Sequence, residues 1–272
     1  MKSRLRYVYD HYRFLILRRT LQLGILLLFF GANAWGWSLL VGDLSSSRIL
    51  NTVPLADPLA VLQLLLAGGA LAGQVLVGAL IVLVAYALIG RAFCSWVCPV
   101  NLITDLAEWV RNRLGFREPP LMYLNRNLRY VVLAMVLVLS LLLSLPVFEF
   151  VSPIAAASRG VAFGMGMGWA LLLAIFLFDL FVVRHGYCGH ICPLGAFYSL
   201  TSRFRRVRVR HEKDSCTLCG LCFNACPEPH VLNLIGKHDG TVNNPECTNC
   251  FRCVEVCDDD ALFVSLSGGW SK

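Results

Sequence analysis

Charge is what this chain has least of. Asp, Glu, Lys and Arg make up 15% of its 272 residues, where a soluble domain carries about a quarter. Hydrophobic residues reach 57%, and the mean hydropathy is +0.64. The apolar excess is gathered in long runs. That excludes a wholly soluble chain and gives an integral membrane protein with a small polar tail. Spare cysteine is missing too: all twelve cysteines fall in motifs, which excludes casual packing as their common role. No Cys-x2-Cys-His occurs, which excludes covalent c-type haem. The net charge of +7 suggests nucleic acid only until the basic residues are placed.

What is present is densest between Cys216 and Cys257. The stretch reads Cys216-x2-Cys219-x2-Cys222-x3-Cys226-Pro227, then Cys247-x2-Cys250-x2-Cys253-x3-Cys257. Each half has the bacterial ferredoxin spacing for a 4Fe–4S cluster, in which the fourth cysteine ligates the other cluster. The spacing assigns Cys216, Cys219, Cys222 and Cys257 to one cluster, and Cys247, Cys250, Cys253 and Cys226 to a second. Zinc is the alternative, since thiolates also suit tetrahedral zinc, but its sites rarely use this doubled pattern. A disulfide framework fits less well, because such paired loops bind metal in a reducing compartment. The second motif departs from the first by ending Cys257-Asp258. Neither the missing proline nor the run Asp258-Asp259-Asp260 removes a ligand.

Residues 1–20 are basic and aromatic, ending Arg18-Arg19-Thr20, and an apolar run follows from Leu21 to about Val41. Ala32-Asn33-Ala34 resembles a cleavage site. The run continues through Trp35 and Leu40 to a spanning length, so a retained anchor is expected. Residues 42–58 read as a polar loop. The stretch Leu59–Gly90 is either a short interfacial or re-entrant piece over 59–68, leading through Gly68-Gly69 into a second span, or one tilted helix. Residues 100–129 are amphipathic and basic, with Asp105, Glu108, Arg111, Arg113, Arg117, Arg126 and Arg129. A third span is expected from Tyr130 to about Val147 and a fourth from about Trp169 to Val183.

Lys and Arg number six before the first span, one in 42–58, six in 91–129, one in 148–168 and ten from Arg184 onward. The positive-inside rule then places both termini and the 91–129 loop in the cytoplasm of a bacterial inner membrane protein. Arg203, Arg205, Arg206, Arg208 and Arg210 read as an anchor for the anionic leaflet, with nucleic acid the weaker alternative. The expected organisation is a basic N-terminus (1–20), a four-helix membrane domain (21–199) and a cytoplasmic double-cluster α+β ferredoxin domain (200–272).

The remaining cysteines form an internal repeat. Cys94-x3-Cys98-Pro99 and Cys188-x3-Cys192-Pro193 each follow a span, with equivalent cysteines 94 positions apart. The four spans thus read as two repeats, and repeated halves commonly place a site at their interface. On a helix, positions i and i+4 share a face. Each pair would then present two thiols, and four together would ligate another iron–sulfur cluster. A dithiol redox pair, another metal site and buried packing are the alternatives.

With these residues the chain resembles the NapH family, the membrane-bound ferredoxin-type quinol dehydrogenase subunits of periplasmic nitrate reductase systems. The likeness covers nearly the whole chain. It rests on the four spans, both Cys-x3-Cys-Pro motifs, the loop Ser45-Ser46-Ser47…Pro54-Leu55-Ala56-Asp57-Pro58-Leu59 and the double C-terminal motif. Close relatives of that family serve nitrous-oxide reductase, methylamine use and cytochrome oxidase maturation. The resemblance implies a protein that takes electrons from quinol. It would pass them, with a periplasmic ferredoxin-type subunit, toward a c-type cytochrome or nitrate reductase. The chain has no room for a periplasmic flavin-binding domain, which favours the short member of this group.

Quinol oxidation needs a proton acceptor, and ionisable residues in or beside spans are candidates. These are Asp179 within the fourth span, Glu149 just after the third near Arg159, and His190 beside Cys188. Asp179 reads equally as a helix–helix hydrogen bond or a partner of Arg184, Glu149 as a solvated loop end, and His190 as packing. Cytoplasmic clusters and a periplasmic acceptor would require electrons to cross the membrane, with the four membrane-side cysteines offering a route. A maturation or reactivation factor that reduces a partner's metal centre is the reading from another class.

Overall fold

Helix α1 (Lys2–Trp35) takes the basic N-terminal stretch and the first apolar run into one element. The computed structural model describes residues 2–50, 52–69, 71–115, 124–164, 166 and 168–266. Arg117 of the basic loop and positions 267–272 of the tail lie outside them. Three strands follow α1: β1 (Leu40–Gly42), β2 (Ser46–Ile49) and β3 (Val53–Ala56). Then come α2 (Pro58–Leu66), α3 (Gly73–Ile89), α4 (Phe93–Trp96) and α5 (Val100–Arg113). Next are α6 (Leu128–Leu143), α7 (Val147–Val151), α8 (Pro153–Phe163) and α9 (Gly168–Phe181). A π-turn at Tyr187–Ile191 leads into α10 (Pro193–Thr201). The tail holds β4 (Val207–His211), α11 (Leu221–Ala225), β5 (Gly240–Thr241), α12 (Arg252–Glu255) and β6 (Leu262–Leu266).

Two units, each discontinuous in sequence, build the chain. One is Met1–Gln22, Tyr86–Val97 and Tyr198–Lys272; the other is Leu23–Ala85 and Cys98–Phe197. In the second, α5 packs on α9, α8 on α9 and α2 on α6. Val100, Thr104, Ala107 and Arg111 form the buried stripe of α5, spaced by four, three and four residues as an α-helix requires. The 42–58 stretch, expected as a loop, instead pairs antiparallel in the order β1-β2-β3. Its turn is local chemistry: the Asp43 carboxylate accepts from the N–H groups of Ser45 and Ser46. Pro54 sits in the edge strand β3, where a missing N–H costs no ladder bond.

The 59–90 stretch is two helices and not one, with the break at Gly68-Gly69 that the first of its two expected forms requires. Asp57 caps α2 and Pro58 opens it, Gly68 is left-handed at φ 76°, and α3 starts afresh. Gln63, fully buried, holds α2 in place. Its carbonyl oxygen accepts from Ser140 Oγ (3.2 Å) and from Phe148 N (2.9 Å), tying α2 to α6 and α7. Of the four spans expected, one helical segment among the described residues, Tyr12–Trp35, is long and apolar enough to cross a membrane. Gly73–Ile89, Leu128–Leu143 and Gly168–Phe181 are apolar but shorter.

In the other unit the tail forms a sheet of order β5-β4-β6, with Val209 opposite Val264 and Arg210 opposite both Phe263 and Thr241. Val209, Val231, Leu232, Val242 and Leu262 make its core together with Cys222, Cys226 and Cys253. Phe14 and Trp96 pack against this core from outside the tail. Phe14 lies 5.0 Å from the Phe251 ring, and Gln22 donates to Ser95 O at 3.0 Å. Tyr86, Phe93 and Tyr198 close the same unit with mutual ring contacts of 5.2–5.6 Å.

Candidate metal centre

The loops Cys216-Thr217-Leu218-Cys219-Gly220-Leu221-Cys222 and Cys247-Thr248-Asn249-Cys250-Phe251-Arg252-Cys253 repeat one backbone conformation. Leu218 (φ 60°), Gly220 (74°), Asn249 (49°) and Phe251 (57°) are left-handed, flanking the middle cysteine of each loop. Alternating hand curls a loop and turns successive N–H groups toward one centre, the concavity that holds phosphates and iron–sulfur groups. Each non-glycine residue in this region costs of order 1 kcal/mol; Gly220 avoids that cost.

The fourth thiols are shared crosswise. Cys216, Cys219, Cys222 and Cys257 line one cavity of about 60 Å³, with His211, Leu218, Phe223 and Asp259. Cys226, Cys247, Cys250 and Cys253 line a second of about 10 Å³, with Val209, Glu228, Val231, Val242 and Phe251. No cysteine is in a disulfide. Burial, and then neighbouring thiols, push Cys222, Cys226 and Cys253 up; burial raises Cys247 against the pull of Arg205 and Arg91. Such thiols ionise when a cation supplies the compensating charge. Four thiols per cavity, with N–H groups curled around them, fit an iron–sulfur group.

The surroundings of the two cavities differ. Beside the second, Arg91 Nη1 meets Glu228 Oε1 at 3.3 Å, with side-chain exposures of 2% and 5%. His230 bonds Glu246. Arg205 donates to Val242 O and to Asn244 O, and its charge reaches Cys247. Beside the first, the N–H and Oγ of Thr217 donate to Asp259, holding that carboxylate below its usual range.

Asn249 fastens the second loop to the end of α3. Its Nδ2 donates to Ile89 O (2.6 Å) and Val207 O (3.0 Å). Ser95 Oγ donates to Thr248 O (2.8 Å) and Trp96 Nε1 to Asn249 O (2.9 Å). At Gly90 (φ 96°) a Cβ would lie 3.0 Å from both Arg205 Cδ and Asn249 Nδ2, so a side chain there would crowd both on a backbone that glycine takes without strain. These contacts were not legible as a site in the sequence. The one signal was an Asn placed where a left-handed residue is needed.

The Cys-x3-Cys segments are not the helical pairs that the spacing suggests. Cys94 lies in the four-residue α4 with Cys98 beyond its end, and Cys188 lies in the π-turn with Cys192 at its cap. Pro99 caps α5 and Pro193 opens α10. Each proline therefore starts a new helix, where its absent N–H has no helical partner to lose, and each cysteine pair sits in the break before it. Cys98, Cys188 and Cys192 gather about Tyr187, whose phenol is pushed well up by burial and then by these thiols, Cys192 foremost. Cys94 belongs to the other unit.

Glu149 pairs with Arg159 Nη2 (2.7 Å) and accepts from Ser45 Oγ (2.6 Å); Arg159 also meets Asp43. Asp179 is 1% exposed. Its Oδ1 accepts from Tyr187 N (3.0 Å), while its Oδ2 is buried with no hydrogen-bond partner. Arg184, the expected partner of Asp179, pairs with Glu108 instead, and Glu108 also accepts from His185 Nε2 at 2.9 Å. His190 is buried in the π-turn. The described hydrogen-bond partners of Glu149 and Asp179 do not overlap.

Residues 208–258 match the family model of a 4Fe-4S dicluster domain, and residues 71–117 and 162–211 match that of a 4Fe-4S binding domain. With the curled loops and four-thiol cavities, these define a ferredoxin-type iron–sulfur electron-transfer protein. The ferredoxin-type protein NapH of Escherichia coli is 42% identical over 266 residues, 96% of this chain and 91% of that protein. NapH of Haemophilus influenzae is 41% identical over 93% of this chain and 90% of its own length. The methylamine utilization ferredoxin-type protein MauN of Methylorubrum extorquens is 42% identical over 83% of this chain and 78% of its own. The chain belongs to the NapH-type ferredoxin family. No solved structure matches it.

Proposed function

We propose that this protein is a multi-pass membrane subunit that oxidises quinol and passes the electrons, through a ferredoxin-type partner, toward periplasmic nitrate reductase. The observation that carries the reading is the crosswise sorting of eight cysteines into two four-thiol cavities. Cys216, Cys219, Cys222 and Cys257 hold one 4Fe–4S cluster, and Cys226, Cys247, Cys250 and Cys253 the other. Bound there, such clusters supply one-electron acceptance and donation. Arg205 sets a cation beside the second site, where Arg91 is matched by Glu228, and Asp259 sets an anion beside the first. Cys94, Cys98, Cys188 and Cys192 hold a further cluster or serve as redox thiols; the match of both their segments to a 4Fe-4S binding domain favours the cluster.

The membrane portion spans 21–199, with both termini and the 200–272 domain in the cytoplasm. The large apolar side chains left bare on the helices support it. Examples are Leu80 (59% exposed) on α3, Leu142 (71%) on α6 and Trp169 (53%) on α9. At about 1.5 Å per residue, the 17 residues of α3 reach about 25 Å, short of a hydrocarbon core near 30 Å. Local thinning and flanking segments make up the difference. Among the groups that take quinol's protons, Asp179 is best prepared, because its Oδ2 is unengaged; Glu149 and His190 are the others.

MauN is 42% identical over 83% of this chain, a ferredoxin-type protein named for a different system, and the second reading is a membrane redox factor that matures or reactivates a partner metalloenzyme. Iron and acid-labile sulfide per chain, with EPR before and after menaquinol, separate these. About eight irons, reduced by quinol, support the relay, and about twelve bring in the four membrane-side cysteines. Irons that quinol leaves oxidised overturn the quinol reading.

A further inference from the structure

The eight tail cysteines are unequal in one respect. Cys219 is exposed, while the other seven are buried or half-buried. The chain around Cys219 is not dressed for water. Leu218 is 68% exposed, Leu221 45% and Phe223 36%, and Leu218 and Phe223 line the same cavity as Cys219. Leu218 is also left-handed, so a strained backbone holds out a large apolar side chain beside a thiol that binds the redox centre. Acidic side chains surround this spot. Thr217 binds Asp259, Asp258 and Asp260 flank it in an exposed turn, and Asp214 is exposed two residues before Cys216. Lys213 is the one base in this run. Of the tail arginines, Arg205 and Arg208 are engaged elsewhere, binding Val242, Asn243 and Asn244.

We propose that Leu218, Cys219, Leu221 and Phe223, rimmed by Asp214, Asp258, Asp259 and Asp260, form the docking face for a soluble one-electron carrier protein whose redox centre is rimmed by lysine or arginine. The apolar centre gives the close, dry contact through which an electron crosses. The carboxylates steer and orient the carrier, since opposite charge at a rim acts mainly on the association rate. The transfer moves one electron: the centre held at Cys216, Cys219, Cys222 and Cys257 is oxidised by one and the carrier reduced by one, with no proton moved and no bond broken. The inference deepens the electron-transfer reading and is independent of quinol.

The test uses the full-length, cluster-loaded protein in detergent, reduced with dithionite and mixed in a stopped-flow with a lysine-rimmed cytochrome c as probe. The expected rate falls steeply with ionic strength. Asp258→Asn/Asp260→Asn lowers it about three- to tenfold at low salt and leaves it unchanged at high salt. Asn tolerates the left-handed backbone of Asp260 (φ 52°), so the variant keeps its iron and visible spectrum. Leu218→Ser slows transfer at every salt concentration. Equal rates and equal salt slopes in wild type and both variants overturn the proposal, as does equally fast reduction of an acidic-rimmed flavodoxin probe. So does a rate governed by self-association of this chain in sedimentation. Chemical reduction keeps this outcome separate from any failure of quinol oxidation.

Discussion

Replacing Arg91 by alanine tests whether the buried ion pair beside the second cavity holds that site together. Arg91 and Glu228 meet at 3.3 Å with side chains 2% and 5% exposed. At that separation and an effective dielectric near 20, their attraction is about 5 kcal/mol. Taking both charges out of water costs several kcal/mol each, so the intact pair adds little net stability. Breaking it is another matter. Arg91→Ala leaves the Glu228 carboxylate buried in the wall of the Cys226, Cys247, Cys250 and Cys253 cavity, with His230 Nδ1 3.6 Å away, at a cost of up to about 3–5 kcal/mol. If local opening limits release of iron, 3 kcal/mol corresponds to roughly a hundredfold faster loss. The assay is loss of visible absorbance with an iron chelator, under anaerobic conditions. Arg91→Met/Glu228→Leu removes both charges and should return the rate to within about tenfold of wild type. The coupling energy from the four proteins should exceed about 2 kcal/mol. A double variant as fragile as Arg91→Ala would show that arginine acts there by some means other than neutralising Glu228.

Substitutions at two further positions probe the same neighbourhood. Arg205→Gln removes a buried cation whose charge reaches Cys247. The reduction potential of the second site should drop by on the order of 50 mV, about 1 kcal/mol for one electron, in an EPR-monitored titration, with the first site unmoved. Asn249→Gly loses the bonds to Ile89 O and Val207 O but keeps the left-handed backbone easy. Asn249→Ala loses both, adding about 1 kcal/mol of strain. Iron should be lost faster from the alanine variant than from the glycine one.

Much of the tail was legible because cysteine spacing is chemistry written in one dimension. The loops repeat as Cys-Thr-x-Cys, and that repeat reappears as left-handed Leu218 and Asn249. Gly68-Gly69 likewise announced the break between α2 and α3. Residues 40–56 were opaque for a physical reason: Ser-Ser-Arg-Ile and Val-Pro-Leu-Ala have no alternation of apolar and polar positions, so their pairing comes from the Asp43 turn and not from a buried face. The i, i+4 inference at the Cys-x3-Cys segments failed because Pro99 and Pro193 begin new helices, so neither cysteine pair lies within one helix. The contacts of Arg91 and Gln22 were invisible because no local pattern links residues so distant in sequence.

The order of synthesis gives the last of these points a consequence. The tail's unit is completed by residues 1–22 and 86–97, which leave the ribosome long before Cys247. Arg91 waits for Glu228, and Ile89 O waits longer still, until that loop brings Asn249. About 150 residues are translated in between. The second four-thiol cavity therefore closes only on a finished chain. A product truncated before Cys247 has Glu228 for Arg91 but no Asn249 for Ile89 O and no Cys247, Cys250 or Cys253 to stand opposite Cys226, and presents quality-control proteases with a half-built cavity in place of a folded module.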